Sequence, residues 1–153
     1  MDKVERGEFQ DLKIVIDGKE YDVDVEKVCS IDAEDLSEEF VRHPSNYAWY
    51  ATVLSLYESK RDRMEIEVDR LYAQLDMVIR EKYRGQKDIK EKQIESEIIT
   101  DKRYMVLYDE FMDVKSVAKR LGAIVKALEM KKDMLVQLGS RAKKQMELGK
   151  FEI

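Results

Sequence analysis

Eight basic residues crowd one stretch of the chain: Arg80, Lys82, Arg84, Lys87, Lys90, Lys92, Lys102 and Arg103, with Tyr83 and Tyr104 among them. Cations at that density can neutralise phosphates, and an aromatic face between them can stack an unpaired base. The tightest group is Arg80, Lys82, Tyr83, Arg84 and Lys87. These are the residues expected to contact single-stranded DNA. A second basic track, Lys115, Lys119 and Lys126, falls at steps of four and seven, which share one flank of a helix. The bland reading of both tracks is a solvated charged face, with the tyrosines belonging to a core seam.

Other chemistry has little to work with. The single histidine, His43, cannot build a multi-histidine metal site or a histidine-dependent triad within one chain. Beside Pro44 it reads as a helix-cap or surface residue. One cysteine, Cys29, allows no intramolecular disulfide and no cysteine zinc cluster, and its neighbours Val28 and Ile31 make it a buried structural thiol. Gly85, Gly122, Gly139 and Gly149 are isolated, so P-loop and dinucleotide fingerprints are missing. The expectation is a protein without catalysis, metal or cofactor.

Long helices must position the basic stretch. Tyr47, Tyr50, Leu54, Tyr57, Met64, Val68, Leu71, Leu75 and Val78 follow steps of three and four, with Arg61 in the one polar slot. Tyr104, Leu107, Phe111, Val114, Ala118, Leu121, Val125, Leu128 and Leu135 repeat the pattern, with Lys132 as the polar slot. Such spacing is the apolar seam of two long helices. Pro44 suits the first turn of the first helix and Gly85 its end. Residues 85–92 form a polar connector and residues 90–99 a short helix. Thr100 or Asp101 caps the second long helix, which runs to about Leu148.

A β-hairpin precedes the helices. Leu12, Ile14 and Ile16 alternate with Lys13, Val15 and Asp17, and Tyr21, Val23 and Val25 alternate with Asp22 and Asp24 on the return. Asp17-Gly18 supplies a tight type I′ turn, which sets Ile14 opposite Tyr21 and Leu12 opposite Val23. Asp32 opens a short helix to Arg42. The expected architecture is mainly α: a long antiparallel coiled-coil-like helical hairpin behind an N-terminal β-hairpin, oligomeric. Residues 1–30 form the hairpin extension and residues 31–153 the helical oligomerisation and DNA-binding domain.

Composition agrees. The chain has 153 residues, 44% hydrophobic and 40% charged, with one proline; high charge and few breakers suit long helices. Its net charge of −5 is uneven. Residues 1–43 carry 6 basic and 14 acidic side chains; the remainder carry 22 and 19. A low overall charge therefore leaves room for a local basic patch. The charged start lacks a signal-peptide core, and no apolar run spans a bilayer, so the expected place is the cytoplasm with no membrane contact. From Pro44 to Tyr57 the sequence has no charge. A helix apolar on nearly all sides is buried on nearly all sides. Tyr47, Trp49, Tyr50, Val53 and Leu54 are therefore expected to carry self-association. Ala118, Gly122, Ala123 and Ala127 would let another helix approach closely, whether from the same chain or a second one.

Several of these segments resemble phage UvsY-like recombination mediator proteins. They are Tyr47-Ala-Trp-Tyr50, Ser59-Lys-Arg-Asp-Arg-Met64, the basic end from Arg80 to Gly85, and the run from Leu121 to Leu135. The resemblance covers about residues 38–148; the Leu12–Val25 hairpin departs from it. It implies a non-enzymatic, ring-forming homo-oligomer in a phage-infected host's cytoplasm. It further implies a mediator that binds single-stranded DNA, loosens the single-strand-binding protein and helps load a RecA-like recombinase. The DNA contacts it implies fall nearest Arg80, Lys82 and Arg84. The rival expectation from the residues is a coiled-coil assembly chaperone or a structural adaptor without nucleic-acid binding.

Overall fold

The computed structural model describes residues 11–149. The first ten residues of the expected hairpin extension and residues 150–153 of the expected helical domain lie outside them. The element order is β1 (Leu12–Ile16), β2 (Lys19–Val23), α1 (Val25–Cys29), α2 (Leu36–Lys82), α3 (Glu91–Ile99) and α4 (Lys102–Gly149). The chain is mainly α-helical behind an antiparallel hairpin, as its periodicities require.

The described residues fall into two compact units. One is Leu56–Ala118; the other joins the described residues up to Ser55 with those from Lys119 onward. The hairpin belongs to the second of these. Its register pairs Leu12 with Val23 and Ile14 with Tyr21, as the two-residue turn dictates. Asp17 and Gly18 take φ of 51° and 76°, the left-handed pair that a type I′ turn needs. Leu12, Ile14 and Val23 are buried, so the apolar face of the hairpin is core. The strand stops at Val23 instead of reaching Val25. The Asp24 carboxylate accepts from the Lys27 amide at 3.1 Å and starts α1, a local bond that competes with strand pairing.

The long helix begins earlier than Pro44. Asp35 provides the first carbonyl, bonded by Glu39 N–H at 3.2 Å, and α2 runs from Leu36 with Pro44 in its interior. Asp32 does not open this helix; its carboxylate accepts from the Glu34 amide at 3.0 Å in a turn before it. Proline has no N–H for the Phe40 carbonyl, which costs roughly 3 kcal/mol against alanine in a helix interior. Tertiary packing offsets that cost. Tyr50 and Val53, which follow Pro44 on the same helix, are buried, and Phe40 itself lies over Gly139 of α4. A Cβ at Gly139 would stand 3.0 Å from that ring, so any larger residue there must push the Phe40 ring aside.

In this unit Tyr47 donates to Glu129 at 2.9 Å, and Leu121, Leu128 and Leu135 are buried almost completely. The polar slot is Lys131, not Lys132. Lys131 takes the step of three after Leu128, and its ammonium meets Glu39 Oε2 at 2.8 Å and the Val28 carbonyl at 3.2 Å. Those partners make its burial tolerable; Lys132 is exposed and sits beside Asp133. In the unit Leu56–Ala118, Met64, Val68 and Leu75 are buried as the seam predicts, but Ile79 replaces Val78. The interval from Val68 to Ile79 is eleven residues, the period of a nearly straight helix, so a strict heptad drifts off the buried face. Ile94 and Ile98 of α3 pack with Leu75 and Ile79, and Tyr72, Tyr83 and Tyr104 flank them. Gly85, at φ 87°, follows the end of α2, and Asp101 caps α4 by accepting from the Arg103 amide at 2.9 Å. Among the described residues no helix is long and apolar enough to cross a membrane.

Candidate nucleic-acid interface

The basic stretch occupies the end of α2, the connector, α3 and the start of α4, all within Leu56–Ala118. From Arg80 to Arg103 it carries eight cations and six carboxylates. The structure pairs many of them. Arg80 donates through Nη1 and Nη2 to the two oxygens of Glu91, at 2.9 and 2.6 Å, and through Nε to Asp76 at 3.0 and 3.1 Å. Its guanidinium thereby ties α2 to α3, with each of its three nitrogens donating to a carboxylate. Arg84 meets Glu81 at 3.2 Å, and Arg103 meets Asp101 at 3.2 Å. The guanidinium of Arg103 holds the Asp101 carboxyl below its ordinary range.

Tyr83 is half-buried against the isoleucine cluster, and its hydroxyl donates to Glu97. Lys82 stands 3.9 Å from Glu97 Oε2 and 5.0 Å above the Tyr83 ring. One ring face is thus covered by a cation and part of the ring by core. Lys87, Lys90, Lys92 and Lys102 differ: they are exposed, and no carboxylate of the described residues lies within 4.0 Å of their ammonium groups. Of the five residues expected to touch DNA, Lys87 alone belongs to this set. Sequence reasoning could have found the Asp76–Arg80 pairing in the i,i+4 spacing. Glu91 and Glu97 come from a separate helix, so no spacing rule signals them.

Of the second track, Lys115 falls in Leu56–Ala118, with its ammonium 5.8 Å above the Phe111 ring. Lys119 and Lys126 fall in the other unit and are exposed. The residues expected to carry self-association divide as well. Tyr50 is 8% exposed and Val53 2%, both buried within the chain. Tyr47 and Leu54 are half-buried, and Trp49 is 39% exposed, with its ring edge-on to Tyr21 and Tyr50. Trp49 and Leu56 keep apolar surface in solvent, so the uncharged stretch is not buried on all sides within one chain.

His43 is 7% exposed, a core residue instead of a cap, and its Nδ1 has no partner among the described residues. Burial and the Lys131 ammonium push its pKa down, while Glu39 and a hydrogen bond to the Leu128 backbone pull it up. It borders an open groove with Tyr47, Glu129, Lys132 and Asp133, whose mixed charges favour no polyanion. Burial pushes the half-buried Cys29 thiol up, against the pull of Lys131. The chain matches no family model, no curated protein and no solved structure.

Proposed function

We propose that this protein is a non-enzymatic, single-stranded-DNA-binding mediator that acts as a homo-oligomer beside a RecA-like recombinase and a single-strand-binding protein. The supporting observation is the set of exposed lysines from the connector to the start of α4, Lys87, Lys90, Lys92 and Lys102, whose ammonium groups have no carboxylate within 4.0 Å among the described residues. The resemblance to recombination mediators supplies the biological setting. Each lysine–phosphate contact is weak and releases a counterion. Copies of the site on several subunits would add through effective concentration to a useful affinity. Phosphates carry no base identity, so the binding tolerates any sequence.

Anisotropy of a labelled oligonucleotide tests this reading. Affinity should fall by orders of magnitude between roughly 50 and 200 mM salt if several contacts form per assembly. Replacing Lys87, Lys90, Lys92 and Lys102 by Glu should abolish it on every sequence, whereas Arg80→Gln should weaken it little. Absence of binding by the unmodified protein at low salt would overturn the proposal. It would leave the second reading, an assembly chaperone or adaptor. The observation that favours this second reading is the pairing of Arg80, Arg84 and Arg103 with carboxylates, which turns much of the basic stretch into internal ties.

A further inference from the structure

The hairpin has an edge that the DNA reading does not use. A two-residue turn makes Ile16 and Lys19 a pair that exchanges both backbone hydrogen bonds, and the alternation repeats at Ile14–Tyr21 and Leu12–Val23. The N–H and C=O groups of Glu20 and Asp22 therefore point away from β1. The sheet has two strands, and β2 pairs with β1 alone among the described residues. Glu20 and Asp22 are exposed. The outer side of β2 thus presents main-chain donors and acceptors to solvent, the arrangement that accepts an added strand.

Two further features say which strand fits. Period-two alternation puts the Glu20 and Asp22 carboxylates on one face of β2 and Tyr21 on the other. The Tyr21 ring meets Trp49 edge-on with centroids 6.0 Å apart, and Trp49 keeps 39% of its surface exposed. An added strand would find carboxylates beside its residues on one face and aromatic surface beside those on the other. From Asp11 to Asp24 the hairpin carries five acidic residues against two lysines, so a cationic strand is drawn to it. A second copy of β2 is disfavoured, because it would set carboxylate against carboxylate across the new pair.

We propose that the outer edge of β2 is a docking strand for an extended segment of a partner protein in which basic and apolar residues alternate. Backbone pairing with Glu20 and Asp22 supplies the attachment. The carboxylates select lysine or arginine on one face, and Tyr21 with Trp49 selects apolar side chains on the other. The site lies in a different unit from the connector lysines, so it stands or falls independently of DNA binding.

The experiment titrates full-length protein into a short labelled peptide alternating lysine with valine, read by anisotropy. Saturable binding is expected. N-methylation of the peptide amides that face β2, with the two alternate sets tested in turn, should weaken binding at least about tenfold for one set. That peptide keeps its charge and apolar side chains, so the loss diagnoses backbone pairing without altering the protein. Glu20→Lys with Asp22→Lys should cause a similar loss. Asp22→Pro should too, since it removes an outward N–H and spares the β1 ladder. Undiminished binding by both methylated peptides would overturn the proposal in favour of charge attraction alone. No saturable binding at millimolar peptide would also overturn it, leaving the carboxylates as a guard against strand pairing.

Discussion

Lys131 and Arg80 are both cations tied to carboxylates, yet they stand in opposite surroundings. The Lys131 side chain is 6% exposed and its partner Glu39 22%. Arg80 is 46% exposed, and of its partners Asp76 is 30% and Glu91 78% exposed. A buried pair holds its partners hostage to each other, because removing one leaves a charge with neither water nor a counterion. An exposed pair has water as its alternative, so its geometry can be good and its contribution small. The number of hydrogen bonds and the degree of burial rank the two sites oppositely: Arg80 makes more bonds, and burial predicts the larger effect on stability at Lys131.

The largest expected effect is Lys131→Met, which strands Glu39. It should destabilise the fold by about 3 kcal/mol in urea titration. Adding Glu39→Leu should restore most of that. A single substitution costing as little as an exposed pair would erase the contrast between the two sites.

Next comes His43, beside the same pair. Its folded pKa lies below the ordinary value, so near and below pH about 6.5 the unfolded chain binds more protons than the folded one. Stability should be full above that pH and decline as acid protonates the unfolded imidazole first. His43→Leu should flatten the slope just below pH 6.5, before carboxylates titrate, and an unchanged slope would assign it elsewhere. Tyr83→Phe, in the other unit, removes the bond to Glu97 and should cost about 1 kcal/mol. The smallest effect is Arg80→Gln, which should leave the melting temperature close to unchanged although it removes a bidentate pair.

Periodicity made the elements legible. The Asp17-Gly18 turn, the hairpin register and the short helix bearing Ile94 and Ile98 all follow from local spacing, and the structure chooses Asp101 over Thr100 as the cap of α4. Errors came where tertiary contacts override local preference. Pro44 signals a helix start, but packing carries α2 straight through it. Lys131 and Lys132 are equivalent as sequence; only Glu39 and Val28, distant in the chain, choose between them. The candidate site was legible as charge and, for Asp76 with Arg80, as an i,i+4 pair, but not in its pairing across to α3. Nothing local to Arg80 announces Glu91, and so one of the residues expected to contact DNA is tied to two carboxylates of the protein.

Trp49 has an optical consequence. It is the sole tryptophan in the chain, and its ring lies between Tyr21 of the hairpin and Tyr50 of α2, with centroids 6.0 and 4.7 Å away. Emission excited at the indole therefore arises from one place, where strand meets helix. Departure of the hairpin would remove one neighbouring ring and admit water, shifting the colour and yield of that emission. The native chain thus carries its own unlabelled reporter of whether the strand stays docked, readable in real time during mixing or heating.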